Sequence, residues 1–225
     1  MKVVGSPPGV GTGPLPEELE GEAGTLSVQL ARRTLEEGLT VPIEQAVRRV
    51  ARPPSNSSPL LLQRGVFVTL EQHPSGRLRG CVGFPTPSAP LHQSVPLAAL
   101  YAAREDPRFP PVRPSELPDL RIEVSLLTVP TLVPGGNPEE VLSQVRIGRD
   151  GLILRAEGVE GLLLPQVAPE QGWGPEEFLD GVCEKAGLAP GCWREPGARI
   201  YRFQARIFRE TEPRGSVRER SPESD

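Results

Sequence analysis

The stretch RGVFVTLEQHPSGRLRGCVGF, residues 64–84, commits the chain to an antiparallel hairpin. Val66, Phe67, Val68 and Leu70 supply a β-branched and aromatic first strand, HPSG supplies the turn, and Leu78 to Val82 return. Cys81 falls at or just past the end of the second strand. Gly80 and Gly83 beside it lack the bulk that would keep another chain or a ligand away.

Around this hairpin the patterning alternates between helix and strand without regular βαβ units. GTLSVQLARRTLEEGL carries Leu26, Leu30, Ala31 and Leu35 at helical spacing, with Gly38 as a stop. TVPIEQAVRRVARPPSNSSP reads as a loop with a short helical piece. APLHQSVPLAALYAARED is helical, with Ser94 as N-cap and Pro96 in its first turn. A proline-rich loop leads to the strand LRIEVSLLT, with Arg121, Glu123 and Ser125 on one side. Asn137-Pro138 opens a helix, two short strands flank Gly158, and a helix from Pro175 stops at Gly187. ARIYRFQARIFRE reads as one long final strand. The expected fold class is α+β, a mixed or antiparallel sheet flanked by helices. Residues 1–22 and 211–225 read as flexible tails around a folded body at 23–210.

Composition narrows the function classes. Net charge is −4, so no global basic field recruits nucleic acid, and the arginines of the C-terminal end are interleaved with acids. No apolar run approaches the roughly 18–20 residues of a spanning helix, and no secretory signal is visible. The three cysteines, Cys81, Cys183 and Cys192, show no C-x-x-C spacing, and their odd number argues against a disulfide framework. A reducing compartment follows, most simply the cytoplasm. Cys183 reads as a core residue of its helix and Cys192 as adventitious. No set of His, Cys, Asp and Glu has metal-ligand spacing, so no metal or other cofactor is expected.

Cys81 is the leading candidate for chemistry. A positive charge such as Arg79 two residues away lowers a thiol's pKa and raises its thiolate fraction. The alternative is a small buried strand cysteine. A nucleophilic cysteine wants a base, and only His73, in the turn, and His92, at the next helix entrance, are available. Glu123, in the middle of an apolar strand, needs a partner or a cavity if buried. It reads as an ion pair with Arg79 or Arg108, or else as a general base. Asp106 and Arg108 in EDPRF are placed to form a carboxylate–guanidinium pair that holds their loop.

The motifs GVFVTL…LRGCVG, AAREDPRF, SELPDLRIEVSLL, IGRDGLIL, GLLLPQVAPEQGW, FLDGVCEKAGL and YRFQARIF, in this order over residues 24–210, closely resemble the AMMECR family. LRGCVG matches its hallmark hexapeptide, which usually carries isoleucine where Val82 stands. The resemblance implies a larger and a smaller lobe with the hallmark by the cleft between them. It implies a site containing Arg79, Gly80, Cys81 and Gly83, with Asp106, Arg108, Phe109, Glu123, Ser125 and Gln166 gathered near it. It also implies an association with Memo-type and radical-SAM proteins. Two functions follow as expectations. One is a cysteine-dependent enzyme with Cys81 as nucleophile, Arg79 as thiolate or anion partner and Glu123 as acid/base. The other is a non-catalytic binding or adaptor module for a small molecule, peptide or protein, with Gly80, Gly83, Asp106, Arg108, Ser125, Gln166 and His92 as binding residues.

Overall fold

The computed structural model describes residues 17–52, 55, 58–135 and 137–220. The fold is α+β with two antiparallel sheets. Among the described residues the chain divides into two compact units, the first reaching Leu126 and adding Ile207–Glu219, the second comprising Leu127–Arg206 and Arg220.

In the first unit, helices α1 (Glu17–Gly38), α2 (Ile43–Val50) and α3 (Leu91–Arg104) accompany a five-stranded sheet. Its strands are β1 (Gly65–Gln72), β2 (Arg77–Phe84), β3 (Leu120–Leu127), β8 (Ala205–Glu210) and β9 (Val217–Arg220), in the spatial order β2-β1-β3-β8-β9. The two-residue period appears directly in the core, where Val66, Val68 and Leu70 of β1 and Ile122, Val124 and Leu126 of β3 are buried. Leu30, Ala31 and Leu35 of α1 and Val95, Ala98, Ala99 and Ala102 of α3 close over them. The expected Leu26–Leu35 helix and its stop at Gly38 are present, but α1 begins earlier. Residues 17–22 are therefore helical rather than tail. The rest of the expected N-terminal tail, residues 1–16, lies outside the described residues.

Three further expectations change. Helix α3 starts at Leu91 with Pro90 in the N-cap position, and Ser94 sits inside the helix, donating its hydroxyl to the Pro90 carbonyl. The final strand is two, because the Gln204 backbone turns to exchange hydrogen bonds with Thr128 and divides β7 (Arg199–Phe203) from β8. After Glu210 the chain is not a tail throughout. It turns, with the Thr211 N–H on the Ser216 carbonyl, and adds β9 beside β8, giving that edge a backbone partner.

The second unit holds a four-stranded sheet in the order β4-β7-β5-β6, where β4 is Thr131–Leu132, β5 Gly151–Ala156 and β6 Val159–Leu163. The β5–β6 hairpin turns at Glu157 and Gly158, both at positive φ, as the expected strand pair around Gly158 requires. Helix α4 (Pro138–Gln144) is capped by the Asn137 side chain, which accepts from the Glu140 N–H. Helices α5 (Val167–Gln171) and α6 (Pro175–Lys185) complete the unit. Phe178, Leu179 and Val182 pack with Leu152, Leu154, Ile200 and Trp193 in a core of their own.

Cys183 is in that core as expected, but it also forms a disulfide with Cys192. Cys192 is therefore not adventitious. The odd count reflects one bridge plus the free Cys81, so the cysteine argument for a reducing compartment loses its premise. Among the described residues, no helix is long and apolar enough to cross a membrane.

Candidate functional site

The hairpin register decides what surrounds Cys81. Thr69 and Cys81 face each other across β1 and β2, so Cys81 lies within the strand rather than at its end. The Cys81 N–H donates away from β1, to Asp106 Oδ2 at 2.9 Å, while the Cys81 carbonyl accepts from Arg108 at 3.3 Å. Thr69–Cys81 is thus a pair without mutual backbone hydrogen bonds, the kind whose side chains come closest. The Thr69 hydroxyl accordingly reaches the Cys81 Sγ at 3.4 Å.

β2 is an edge of its sheet, and an edge presents unpaired backbone groups. At Cys81 the loop after α3 supplies the missing partners. Asp106 is buried and takes four donors: the N–H groups of Cys81 and Arg108, and the Nε and an NH2 nitrogen of the Arg108 guanidinium. The Arg108 hydrogen bond is the largest cause that holds the Asp106 carboxyl down to about 2. Arg108 lies over the Phe109 ring at 5.6 Å. The expected Asp106–Arg108 pair is present, and besides holding its own loop it clamps Cys81 at both backbone groups.

Arg79 goes elsewhere. Leu70 pairs with Gly80 and Glu71 with Leu78, leaving Arg79 as the extra residue of a β-bulge. A bulge breaks the two-residue alternation, so Arg79 and Gly80 are buried in succession. The guanidinium of Arg79 forms a two-pronged bond with Glu116, at 2.9 and 3.2 Å, and a third bond to the Pro110 carbonyl. The positive charge acting on the Cys81 sulfur is that of Arg108. Burial is the largest influence there and pushes the thiol up; Thr69 and Arg108 pull it down, and Asp106 and Glu123 push it up again.

The glycines serve the fold. A Cβ on Gly80 would stand 2.1 Å from the Ala102 carbonyl oxygen, so the chain that comes close is α3. A Cβ on Gly83 would meet the Val66 carbonyl oxygen at 2.3 Å and the Phe67 ring.

Glu123 is buried in β3, as its setting predicted. Its ion-pair partner is Arg209, 3.9 Å away, rather than Arg79 or Arg108, because those two guanidiniums are held by Glu116 and Asp106. Arg121 pairs with Glu71. Ser125 continues β3 and is buried. His92 is buried in the first turn of α3 instead of lying at the surface. Its Nδ1 meets the Leu60 carbonyl at 3.3 Å and its Nε2 meets the Gln93 amide. Gln166 belongs to the second unit, exposed just before α5. Among the described residues, no three His, Cys, Asp or Glu side chains gather as a metal site would need.

Thr69, Glu116 and Arg209 are members of this constellation that sequence reasoning missed. Thr69 alone had a local signal, since the HPSG turn sets the hairpin register, but the bulge shifts the count by one.

Comparison with known proteins places the chain. A protein of Thermofilum pendens is 49% identical over 211 residues, covering 90% of this chain and 96% of that one. A Thermococcus kodakarensis protein is 48% identical over 204 residues, covering 89% and 96%. The crystal structure of the uncharacterized protein PH0010 from Pyrococcus horikoshii matches with a TM-score of 0.74 at 45% identity, covering 89% of this chain and 97% of that one. The AMMECR1 family profile matches residues 28–208, with the LRGCVG strand and the loop that clamps it inside the matched span, and the chain belongs to the AMMECR1 family.

Proposed function

We propose that the first unit is a binding module whose working surface is the clamped edge of β2 around Cys81, framed by Asp106 and Arg108. One observation carries this reading: Asp106 and Arg108 hold both backbone groups of Cys81 on an edge strand, and burial pushes its thiol up despite the Arg108 charge. A thiol nucleophile needs the opposite shift. At neutral pH the sulfur keeps its proton and offers a small, weakly polar contact. Arg79, engaged with Glu116 and Pro110, fixes the strand and the loop rather than the thiolate. The rigid backbone clamp also favours recognition, because a pre-ordered surface loses little freedom when it binds. The ligand classes are a small molecule, a peptide, or the Memo-type or radical-SAM protein that the family resemblance implies.

A second reading, a cysteine-dependent enzyme, draws support from Glu123, a buried carboxylate whose charge acts on the Cys81 sulfur. Thiol alkylation followed across pH separates the two. The binding module predicts an apparent pKa above that of a free thiol and a further rise in Arg108→Gln. An apparent pKa below the free-thiol value would reject the binding reading in favour of the enzyme. In parallel, Cys81→Ser keeps its association with a Memo-type partner if the module only binds, and loses nearly all turnover if the thiol reacts.

A further inference from the structure

We propose that the second unit carries an anion site, a cavity that takes the phosphate group of a small ligand. The cavity has a volume of about 380 Å³, within the range of small-molecule sites, and Arg146, Arg149 and Arg202 line it together. Other arginines are neutralised by an acid, as Arg32 is by Glu210, Arg79 by Glu116, Arg121 by Glu71 and Arg155 by Glu160. The three cavity arginines pair with no acid among the described residues. Arg202 donates to the Gln144 carbonyl at 3.1 Å. Arg149 donates through Nε and NH2 to the Gln204 side-chain oxygen at 2.8 and 2.9 Å, with that amide oriented by its hydrogen bonds. The guanidinium of Arg146 is unpartnered among the described residues.

Among the described residues the lining holds one carboxylate, Asp150, and its Oδ2 accepts the Arg146 backbone N–H at 3.0 Å. Three guanidiniums against one carboxylate leave two positive charges, the complement of a phosphate monoester dianion near neutral pH. Gathering like charges opposes folding, and an oxyanion between them reverses the sign.

The frame is rigid. Arg146 and Arg149 come from the turn before β5, which closes with the Asp150 N–H on the Arg146 carbonyl at 2.9 Å. Arg202 stands on β7, opposite Leu152 of β5 and Thr131 of β4. Guanidinium forks suit the planar, two-pronged recognition of phosphate oxygens.

The test is calorimetric titration of the full-length protein with inorganic phosphate, and with succinate as a carboxylate comparator, at fixed ionic strength. Saturable phosphate binding is expected with a dissociation constant on the order of 1 mM or tighter, weaker for succinate. Arg146→Gln removes a guanidinium that holds nothing else and should weaken phosphate binding roughly tenfold or more. Arg155→Gln makes the same charge change at a β5 arginine paired with Glu160, and should leave binding within about twofold. Absence of saturable phosphate binding, equal losses in the two variants, or tighter binding of succinate would each overturn the proposal.

Discussion

Asp106 is the residue on which the candidate site turns, and its titration is directly measurable. Its carboxyl is held at about 2 against an ordinary 3.8, chiefly by the Arg108 guanidinium. A lowered folded value means that this stabilisation is complete above about pH 4 and disappears as pH falls through about 2. The contribution is on the order of 2 kcal/mol. Acid unfolding of Asp106→Asn should lack this step, and carboxyl NMR should place its titration below that of an unperturbed aspartate. Gly80 gives a purely steric prediction. In Gly80→Ala the new methyl meets the Ala102 carbonyl oxygen at 2.1 Å, so either β2 or α3 must shift. A loss of about 1–3 kcal/mol in urea unfolding is expected. Full retention of stability would show that the helix–strand approach is looser than described.

Among the elements, α1, β3 and β8 meet at a buried ion pair. Arg32 of α1 bonds both carboxylate oxygens of Glu210 in β8, and it also donates to the Leu117 and Leu120 carbonyls. Glu210 in turn accepts the Ile122 N–H of β3. Every polar atom of this group has a specific role, which is the condition under which a buried pair is tolerated. Glu210→Gln keeps the shape and strands the Arg32 charge, so chemical denaturation should show a loss of about 3–5 kcal/mol. Glu36→Gln, which releases the more exposed Arg214, should cost less than about 1 kcal/mol. The β2 bulge acts at the same scale, because one extra residue sends Arg79 to Glu116 and leaves Cys81 opposite Thr69.

At the scale of the whole molecule, each unit has a core of its own, and only the second contains a disulfide among the described residues. Both tryptophans, Trp173 and Trp193, belong to the second unit, so their fluorescence reports on it alone. Trp193 follows Cys192 and donates its indole N–H to Asp180 of α6 at 2.8 Å. Reduction should raise the thiol count from one to three and lower the denaturation midpoint read by tryptophan emission, with a loss of about 2–3 kcal/mol of unfolding free energy for a loop this short. An unchanged midpoint would mean that the packing of Cys183 carries the stability without the bridge.

What the residues determined by themselves is local. The hairpin, the Asn137 cap, the turn at Gly158, the α6 helix and the Asp106–Arg108 pair all depend on neighbours within a few positions, where periodicity and turn chemistry act directly. Tertiary structure decided the rest: that Arg79 serves Glu116, 37 residues on, that His92 turns to Leu60, that Cys183 meets Cys192, and that a strand continues the sheet beyond Glu210. The protonation of Cys81 belongs with these. A nearby arginine in the sequence suggests a thiolate, but the balance between charge and desolvation depends on how deeply the sulfur is buried and on which guanidinium reaches it, and only the folded chain sets both.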